Sequence, residues 1–150
     1  MKYFTIDEMC KTGTKLDNVP NAVERANLVC LIENVLDPIR ERYGKPIIVT
    51  SGFRSEKVNK AVGGVSTSQH AKGQASDIVT KGNTDNALLF NLILAMKKKG
   101  KIVFDQLIAE FPTNNNPSWL HISYKAVGTN RGQVLVASKV NGKTKYSNYK

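Results

Sequence analysis

Hydrophobic positions along this 150-residue chain switch repeatedly between helical and strand-like spacing, and their order predicts the fold. The longest helical pattern covers residues 21–43, where apolar side chains recur every three or four positions and share one helical face. Pro38 lies inside that pattern, so we expect a kink or break in the turn before it. A second helical pattern covers residues 83–99 and predicts an N-cap at Asn83 or Thr84.

Shorter segments complete the pattern. Thr5 is a predicted N-cap of a short first helix, with Glu8 three residues later as in a capping box, and residues 56–62 predict one or two helical turns. Five runs that favour extended structure predict strands, and we expect the last two to pair with each other. The polar tail from Asn141 is expected to fray. The predicted strands cover residues 47–51, 75–80, 102–111, 119–124 and 132–138.

The order of these elements indicates an α+β fold with a mostly antiparallel sheet, because the strands cluster late instead of alternating strictly with helices. We expect the helices to pack on one side of that sheet. No internal repeat or linker divides the chain, and its 41% hydrophobic content suits one soluble domain. The expected single domain is residues 1–150, with its core at about residues 4–140 and a polar C-terminal tail.

Charge and composition restrict the partners. No apolar run approaches the roughly 18 residues of a membrane span, and the first residues lack the apolar stretch of a signal peptide. We therefore expect a monomer that is made in the cytoplasm and has no membrane span. The formal net charge of +10 implies an anionic partner, either nucleic acid or a bacterial wall with its carboxylates and phosphates. Because aromatic and basic residues are not interleaved, we expect no nucleic acid partner.

The candidate chemistry lies at the only two histidines, His70 and His121, and at Asp77. Asp77 lies between apolar residues of a predicted strand, where a carboxylate is costly unless a cation or several donors meet it. A His, Asp, His set suits Zn²⁺ and leaves a fourth position open for water, as a catalytic zinc site requires. The spacing alone also fits two hydrogen-bonded histidines and a hydrogen-bonded aspartate that bind no metal.

Three ordered blocks carry a resemblance to a known family: "SGFRS" at residues 51–55, "NKAVGGVSTSQHAKGQASDI" at 59–78 and "WLHIS" at 119–123. Together they resemble the zinc peptidases of the D-Ala-D-Ala carboxypeptidase family. That family also includes D-Ala-D-Ala dipeptidases and phage L-alanyl-D-glutamate endolysins. Its hallmark is S-x-H-x(6)-D followed by a distal W-x-H, and the likeness covers roughly residues 4–124.

The resemblance implies a role for each matching residue. His70, Asp77 and His121 are implied to bind one Zn²⁺ ion per chain. Ser68 matches a position that helps to hold the peptide substrate. Arg54 matches an arginine that stabilises the polarised carbonyl or the substrate carboxylate, a role that suits a guanidinium because it stays charged and presents several donors.

The general base is the open position in this site. Some relatives have a glutamate three residues before the second histidine ligand, where this chain has Ser118. The strand-like segment "FDQLIAEF" offers Asp105 and Glu110, which lie on opposite faces of a regular strand. The resemblance favours Glu110, with Asp105 as the alternative. Trp119 is either a wall of the substrate cleft or a core residue.

The function that the resemblance implies is zinc-dependent hydrolysis of the peptidoglycan stem peptide. The bond cut is expected to be that of a D-Ala-D-Ala carboxypeptidase or of an L-Ala-D-Glu endopeptidase. Such an enzyme acts on the bacterial cell wall, and we expect phage-mediated release because no signal peptide is recognised. A catalytically inactive zinc-containing wall-binding module is one alternative, and a basic nucleic-acid-binding protein is another.

Overall fold

A six-stranded, mostly antiparallel sheet forms the centre of the computed structural model, which describes residues 1–150. The strand order is β1-β2-β4-β3-β5-β6, and β3 with β5 is the one parallel pair. The α+β class predicted from the order of elements is therefore confirmed. The strands are β1 (Ile47–Ser51), β2 (Ala75–Thr80), β3 (Gln106–Glu110), β4 (Trp119–Ser123), β5 (Gln133–Val140) and β6 (Lys143–Asn148).

Five α-helices accompany the sheet, and the longest predicted helical pattern is two helices joined by a π-helical turn. That turn, Ile32–Leu36, directly precedes Pro38 and is the irregularity expected there, although the helix is not broken. A π turn accommodates the proline, which has no backbone N–H to donate to the preceding turn. The helices are α1 (Ile6–Met9), α2 (Ala22–Leu31), α3 (Asp37–Tyr43), α4 (Glu56–Ala61) and α5 (Asn86–Lys98).

The two faces of the sheet have different surroundings. On one face, alternate strand residues such as Ile78, Leu120 and Leu107 join helix residues in a single large hydrophobic core. The other face carries polar residues around a small apolar cluster of Ile108 and Leu135. Strand alternation thus separates a face that stabilises the fold from a face that is available for chemistry.

Three rows of directly paired residues cross this second face and define positions on it. The central row lies between the other two. Each outer row is two residues from the central row along the strands, a distance of about 7 Å. The central row is Asp77, His121, Ile108 and Leu135; the Glu110 row is Trp119, Glu110, Ala137 and Tyr146; the Gln106 row is Gln106 and Gln133.

The expected pairing of the last two predicted strands is wrong. β5 pairs in parallel with β3, and it does not pair with β4. The reason is that β4 already has β2 on one side and β3 on the other, so β5 must add at an edge of the sheet, and it pairs with β3.

The C-terminal tail does not fray, contrary to the prediction. It forms β6, which pairs with β5 through a tight turn at Asn141 and Gly142. Both turn residues have positive φ, at 53° and 76°, which is the backbone that an Asn-Gly hairpin favours. Tyr149 then packs edge-on against Phe90 of α5, with ring centroids 5.0 Å apart.

The start of α5 also differs from the prediction. Its N-cap is Asp85, two residues or fewer after the expected caps, because Gly82 and Asn83 both adopt positive φ and so interrupt the helical pattern. None of the helices combines the length and the apolar composition needed to cross a membrane.

Candidate metal centre

His70 lies on a short 3₁₀ helix, Gln69–Lys72, between α4 and β2. The Ser68 hydroxyl caps this helix by accepting a hydrogen bond from the His70 backbone N–H at 3.2 Å. Gly73 ends it with φ of +73°, and a Cβ there would overlap the backbone carbonyl of Glu24. These local constraints bring the buried imidazole of His70 over the open face of the sheet.

Asp77 and His121 are direct cross-strand partners on β2 and β4. Their side chains therefore leave the same face of the sheet at the closest spacing that two strands allow. The His121 Nδ1 atom lies 3.1 Å from Asp77 Oδ1, and the His70 Nε2 atom lies 3.3 Å from the same oxygen. The structure thus brings together the three residues that the sequence predicts as ligands.

The geometry of these three groups fits a zinc ion. One nitrogen or oxygen from each lies within 4.8 Å of the others. Ligand atoms that surround Zn²⁺ tetrahedrally at about 2.0–2.2 Å are about 3.3–3.6 Å apart, close to the two distances that Asp77 makes. The donor set of two imidazoles and one carboxylate is also one that zinc accepts.

The ionisation of Asp77 and the orientation of His70 suit metal binding. Burial alone would raise the pKa of Asp77, but hydrogen bonds with His121 and His70 outweigh burial and hold that pKa well below its usual range. His70 Nδ1 lies 2.7 Å from the Gly52 carbonyl oxygen, to which it donates, so Nε2 is the nitrogen that a metal would bind in place of the hydrogen shared with Asp77.

Glu110 lies in the next row of the same face, beside Trp119. Its side chain is only 7% exposed and borders the same cleft as the three ligands. Burial raises the pKa of the Glu110 carboxyl to about 7; the nearby His121 opposes this rise and the Asp77 charge adds to it. A carboxyl with a pKa near neutrality can both accept and return a proton.

Asp105 is directed away from this centre. It is fully buried, its Oδ1 and Oδ2 accept hydrogen bonds from Arg131 Nε and Nη2 at 3.0 and 2.7 Å, and Gln69 donates a third at 3.1 Å. The hydrogen bonds from Arg131 hold the pKa of Asp105 well below its usual range. Such a carboxylate is a poor proton acceptor, so Asp105 is the less suitable of the two candidates for a base.

Arg54 and Ser68 both border the cleft that contains the three ligands. Arg54 is half-buried and its backbone N–H donates to the His70 carbonyl at 3.0 Å, which connects it to the ligand segment. Burial lowers the pKa of the Arg54 guanidinium while the charge of Asp77, which borders the same cleft, opposes that change.

Trp119 and Ser118 have separate roles. Trp119 is half-buried, borders the cleft, and packs against Phe111 with ring centroids 5.4 Å apart. Ser118 donates its hydroxyl hydrogen bond to the Phe111 carbonyl at 2.8 Å, so it maintains the turn before β4.

The cleft has a volume of about 1250 Å³ and includes residues that the sequence analysis missed. Tyr146 of β6 lies in the Glu110 row, and burial together with the Glu110 and Asp77 charges raises its pKa. The Asn141-Gly142 turn was the signal that could have identified its strand. No sequence signal placed the further missed residues, Gln106, Lys125, Arg131, Gln133 and Lys139, beside the ligands.

Comparison with known proteins agrees with this site. The Peptidase M15 family profile matches residues 2–108, a segment that contains His70 and Asp77. The chain therefore belongs to the Peptidase M15 family, which by its description is a class of peptidases.

A curated relative gives a more specific likeness. The zinc D-Ala-D-Ala carboxypeptidase of Streptomyces albus G is 38% identical to this chain over 78 residues. The similar segment is 50% of this chain and 30% of that relative, so the chain matches less than a third of the relative's length.

Proposed function

We propose that this protein is a zinc-dependent peptidase that hydrolyses the stem peptide of peptidoglycan. The observation that carries the proposal is the convergence of His70, Asp77 and His121 at zinc-ligand spacing, with Glu110 beside them on the same sheet face. Membership of the Peptidase M15 family and the likeness to a zinc D-Ala-D-Ala carboxypeptidase support it. One Zn²⁺ ion per chain satisfies the three ligands.

Glu110 is the proposed general base. Zn²⁺, when bound to such a site, supplies Lewis acidity that polarises a carbonyl and acidifies water. Glu110 accepts the proton of the attacking water and delivers it to the leaving amine. Burial raises its pKa to about 7 in the metal-free chain, which brings both transfers closer to neutral pH than for an ordinary carboxyl.

Arg54 and Ser68 are the proposed substrate-binding groups. The Arg54 guanidinium donates hydrogen bonds to the oxygen that becomes negatively charged, or to a substrate carboxylate. Ser68 accepts a hydrogen bond from the His70 backbone, which leaves its hydroxyl proton free to orient the peptide. Trp119 and its Phe111 neighbour form an apolar wall of the cleft.

Two activities fit this site, cleavage of D-Ala-D-Ala as a carboxypeptidase and cleavage of L-Ala-D-Glu as an endopeptidase. The likeness to a D-Ala-D-Ala carboxypeptidase favours the first. The proposed place of action is the bacterial cell wall, where the net charge of +10 attracts the protein to anionic polymers. Phage-mediated release and a monomeric state stay predictions.

Digestion of purified muropeptides tests the proposal. The zinc-loaded protein is incubated with muropeptides, and mass spectrometry identifies the bond that is cut. We expect one defined stem-peptide bond to be cleaved, no cleavage in the presence of a chelator, and loss of cleavage in His121→Ala. The position of the cut assigns the carboxypeptidase or the endopeptidase activity.

An inactive wall-binding module gives a different result. A folded, zinc-loaded protein that sediments with peptidoglycan sacculi but releases no new amine would refute the peptidase and support that alternative. A salt-dependent shift of DNA at physiological ionic strength would instead support nucleic acid binding.

A further inference from the structure

A buried carboxylate, whose cationic and polar partners border the cleft, is not used by the proposed mechanism. Asp105 is 0% exposed, and Arg131 binds it through Nε and Nη2 at 3.0 and 2.7 Å. Lys125 Nζ lies 3.6 Å from the same carboxylate. The Asp105 carboxylate therefore contacts two cations, and the three side chains together carry a net positive charge.

The backbone around these two cations is held as firmly as their side chains. The Arg131 backbone N–H also donates to Asp105 at 3.0 Å. Asn130 closes the loop by accepting from the Lys125 N–H at 2.8 Å and donating to the Lys125 carbonyl at 3.0 Å. The Arg131 guanidinium and the backbone of both residues are thus held before any ligand binds, which lowers the entropic cost of binding.

Donors remain free on both side chains. Arg131 uses Nε and one hydrogen of Nη2 for Asp105, so Nη1 is left for a ligand. The Arg131 side chain is 50% exposed and that of Lys125 is 33% exposed, and both border the cleft that contains the metal ligands.

The strand register places this pair on the far side of the central row from Glu110. Arg131 precedes the Gln106 row by two residues, and Lys125 follows β4 by two residues. Arg131 is four positions before Leu135 in the chain and lies outside β5, so its backbone is at most about 13 Å from the central row. An extended peptide spans that distance with about three or four residues.

We propose that Lys125 and Arg131 form a subsite for a carboxylate of the peptide substrate that lies about two to four residues from the bond that is cut. This inference rests on the proposed peptidase function and deepens it. Because the buried Asp105 orients both cations, it acts as a positioning residue for this subsite. Carboxylate is the preferred ligand because a guanidinium and an ammonium can each donate charge-assisted hydrogen bonds to it.

The test compares a stem peptide with copies in which each carboxyl group in turn is converted to the carboxamide. For the wild-type protein we expect one amidation remote from the cut to lower kcat/KM about 10-fold or more, mainly through KM. In Lys125→Gln that preference shrinks several-fold, and the fully charged peptide is bound more weakly. The control Lys98→Gln removes the same charge from an exposed position on α5, and it keeps the wild-type preference.

Binding measurements separate this inference from the proposed function. Calorimetry on the Glu110→Gln protein, with and without Lys125→Gln, compares the same peptides without turnover. Arg131→Lys retains the charge beside Asp105, so it removes the guanidinium fork without leaving that buried carboxylate unpaired. A preference that is the same in all variants, or absent in the wild type, would overturn the subsite. A protein that binds the peptides with this preference but cuts none would instead overturn the peptidase.

Discussion

His70 and Gly52 are joined by a hydrogen bond of 2.7 Å, from the imidazole Nδ1 to the backbone carbonyl of Gly52. This bond selects the tautomer of His70 and turns its Nε2 towards Asp77. Gly52 itself has no room for a side chain, because a Cβ would overlap the Met9 carbonyl oxygen and lie 2.9 Å from Met9 Cα. The orientation of a metal ligand therefore depends on close packing between α1 and the end of β1.

Gly52→Ala should weaken metal binding. The added methyl group must push Met9 or Gly52 aside, which moves the carbonyl that orients His70. We expect zinc affinity to fall about 10–100-fold, as when a second-shell partner of a ligand is lost, and stability to fall by about 1–3 kcal/mol. Competition with a chromogenic chelator measures the affinity, and urea unfolding measures the stability.

Gly13→Ala is the matched control, because nothing lies within 4 Å of a Cβ at Gly13. It should bind zinc like the wild type. Equal zinc affinity in Gly52→Ala and Gly13→Ala would show that the His70–Gly52 hydrogen bond does not orient the ligand.

Glu110→Gln should abolish most hydrolysis without loss of zinc. The amide cannot accept the proton of the attacking water, so we expect kcat to fall by about 10²–10⁴-fold. Metal content is measured on the same sample. Glu56→Gln, an exposed position on α4, is the control for a lost carboxylate. A protein that keeps its kcat in Glu110→Gln and loses it in Asp105→Asn would assign the base to Asp105.

The pH profile should report the ionisation of Glu110. As the base, it must be deprotonated, so kcat/KM should rise as pH increases through the pKa of the carboxyl. That pKa is about 7 from burial, and the positive charge of bound Zn²⁺ lowers it. We expect an acidic limb at or below about pH 7 for the wild type, measured over pH 5–9. The same limb in the residual activity of Glu110→Gln would contradict the assignment.

Glu110 also affects the stability of the metal-free protein. Its folded-state pKa is raised from 4.5 to about 7, so the folded state holds the proton more tightly than the unfolded state. The free energy of unfolding is therefore highest below pH 4.5 and falls as pH rises through 7, by up to about 3 kcal/mol. Urea unfolding should show that the difference in stability between Glu110→Gln and the wild type favours the variant more at pH 8 than at pH 4.5. An equal difference at both pH values would contradict this.

Asp105 should contribute to stability with the opposite pH dependence. Its pKa is held well below the ordinary value, chiefly by the hydrogen bonds from Arg131. The stabilisation is present above the ordinary pKa of 3.8 and is lost as pH falls below that value. We expect the urea midpoint of the wild type to fall more steeply below pH 4 than that of Asp105→Asn. Asp7→Asn, at an exposed position on α1, is the control and should follow the wild type.

The proposed metal centre could be predicted from the sequence only through the three blocks that resemble a known family, because the spacing of its residues also fits a site that binds no metal. The S-x-H-x(6)-D block contains two ligands, and strand alternation places Glu110 and Asp105 on different faces. The structure adds the physical reason for favouring Glu110: Arg131, which is 26 residues from Asp105 in the chain, occupies the Asp105 carboxylate. Such long-range partners leave no periodic signal in a single sequence.

The errors have equally specific causes. The predicted pairing of β5 with β4 is wrong because β2 and β3 occupy both edges of β4. The order of strands is a property of the whole sheet. The polar composition of residues 143–148 predicts a frayed tail, although the Asn141-Gly142 pair favours a hairpin. As a result, Tyr146 was missed although its strand was recognisable from the turn.

Titration of the metal-free chain with Zn²⁺ is the most direct test of a zinc peptidase with one ion held by His70, Asp77 and His121. Hydrolysis of a stem peptide is followed by mass spectrometry as each fraction of an equivalent is added. We expect the rate to rise linearly and to level off at one equivalent of Zn²⁺ per chain. Hydrolysis by the metal-free chain, or no hydrolysis at full zinc occupancy, would contradict the zinc peptidase.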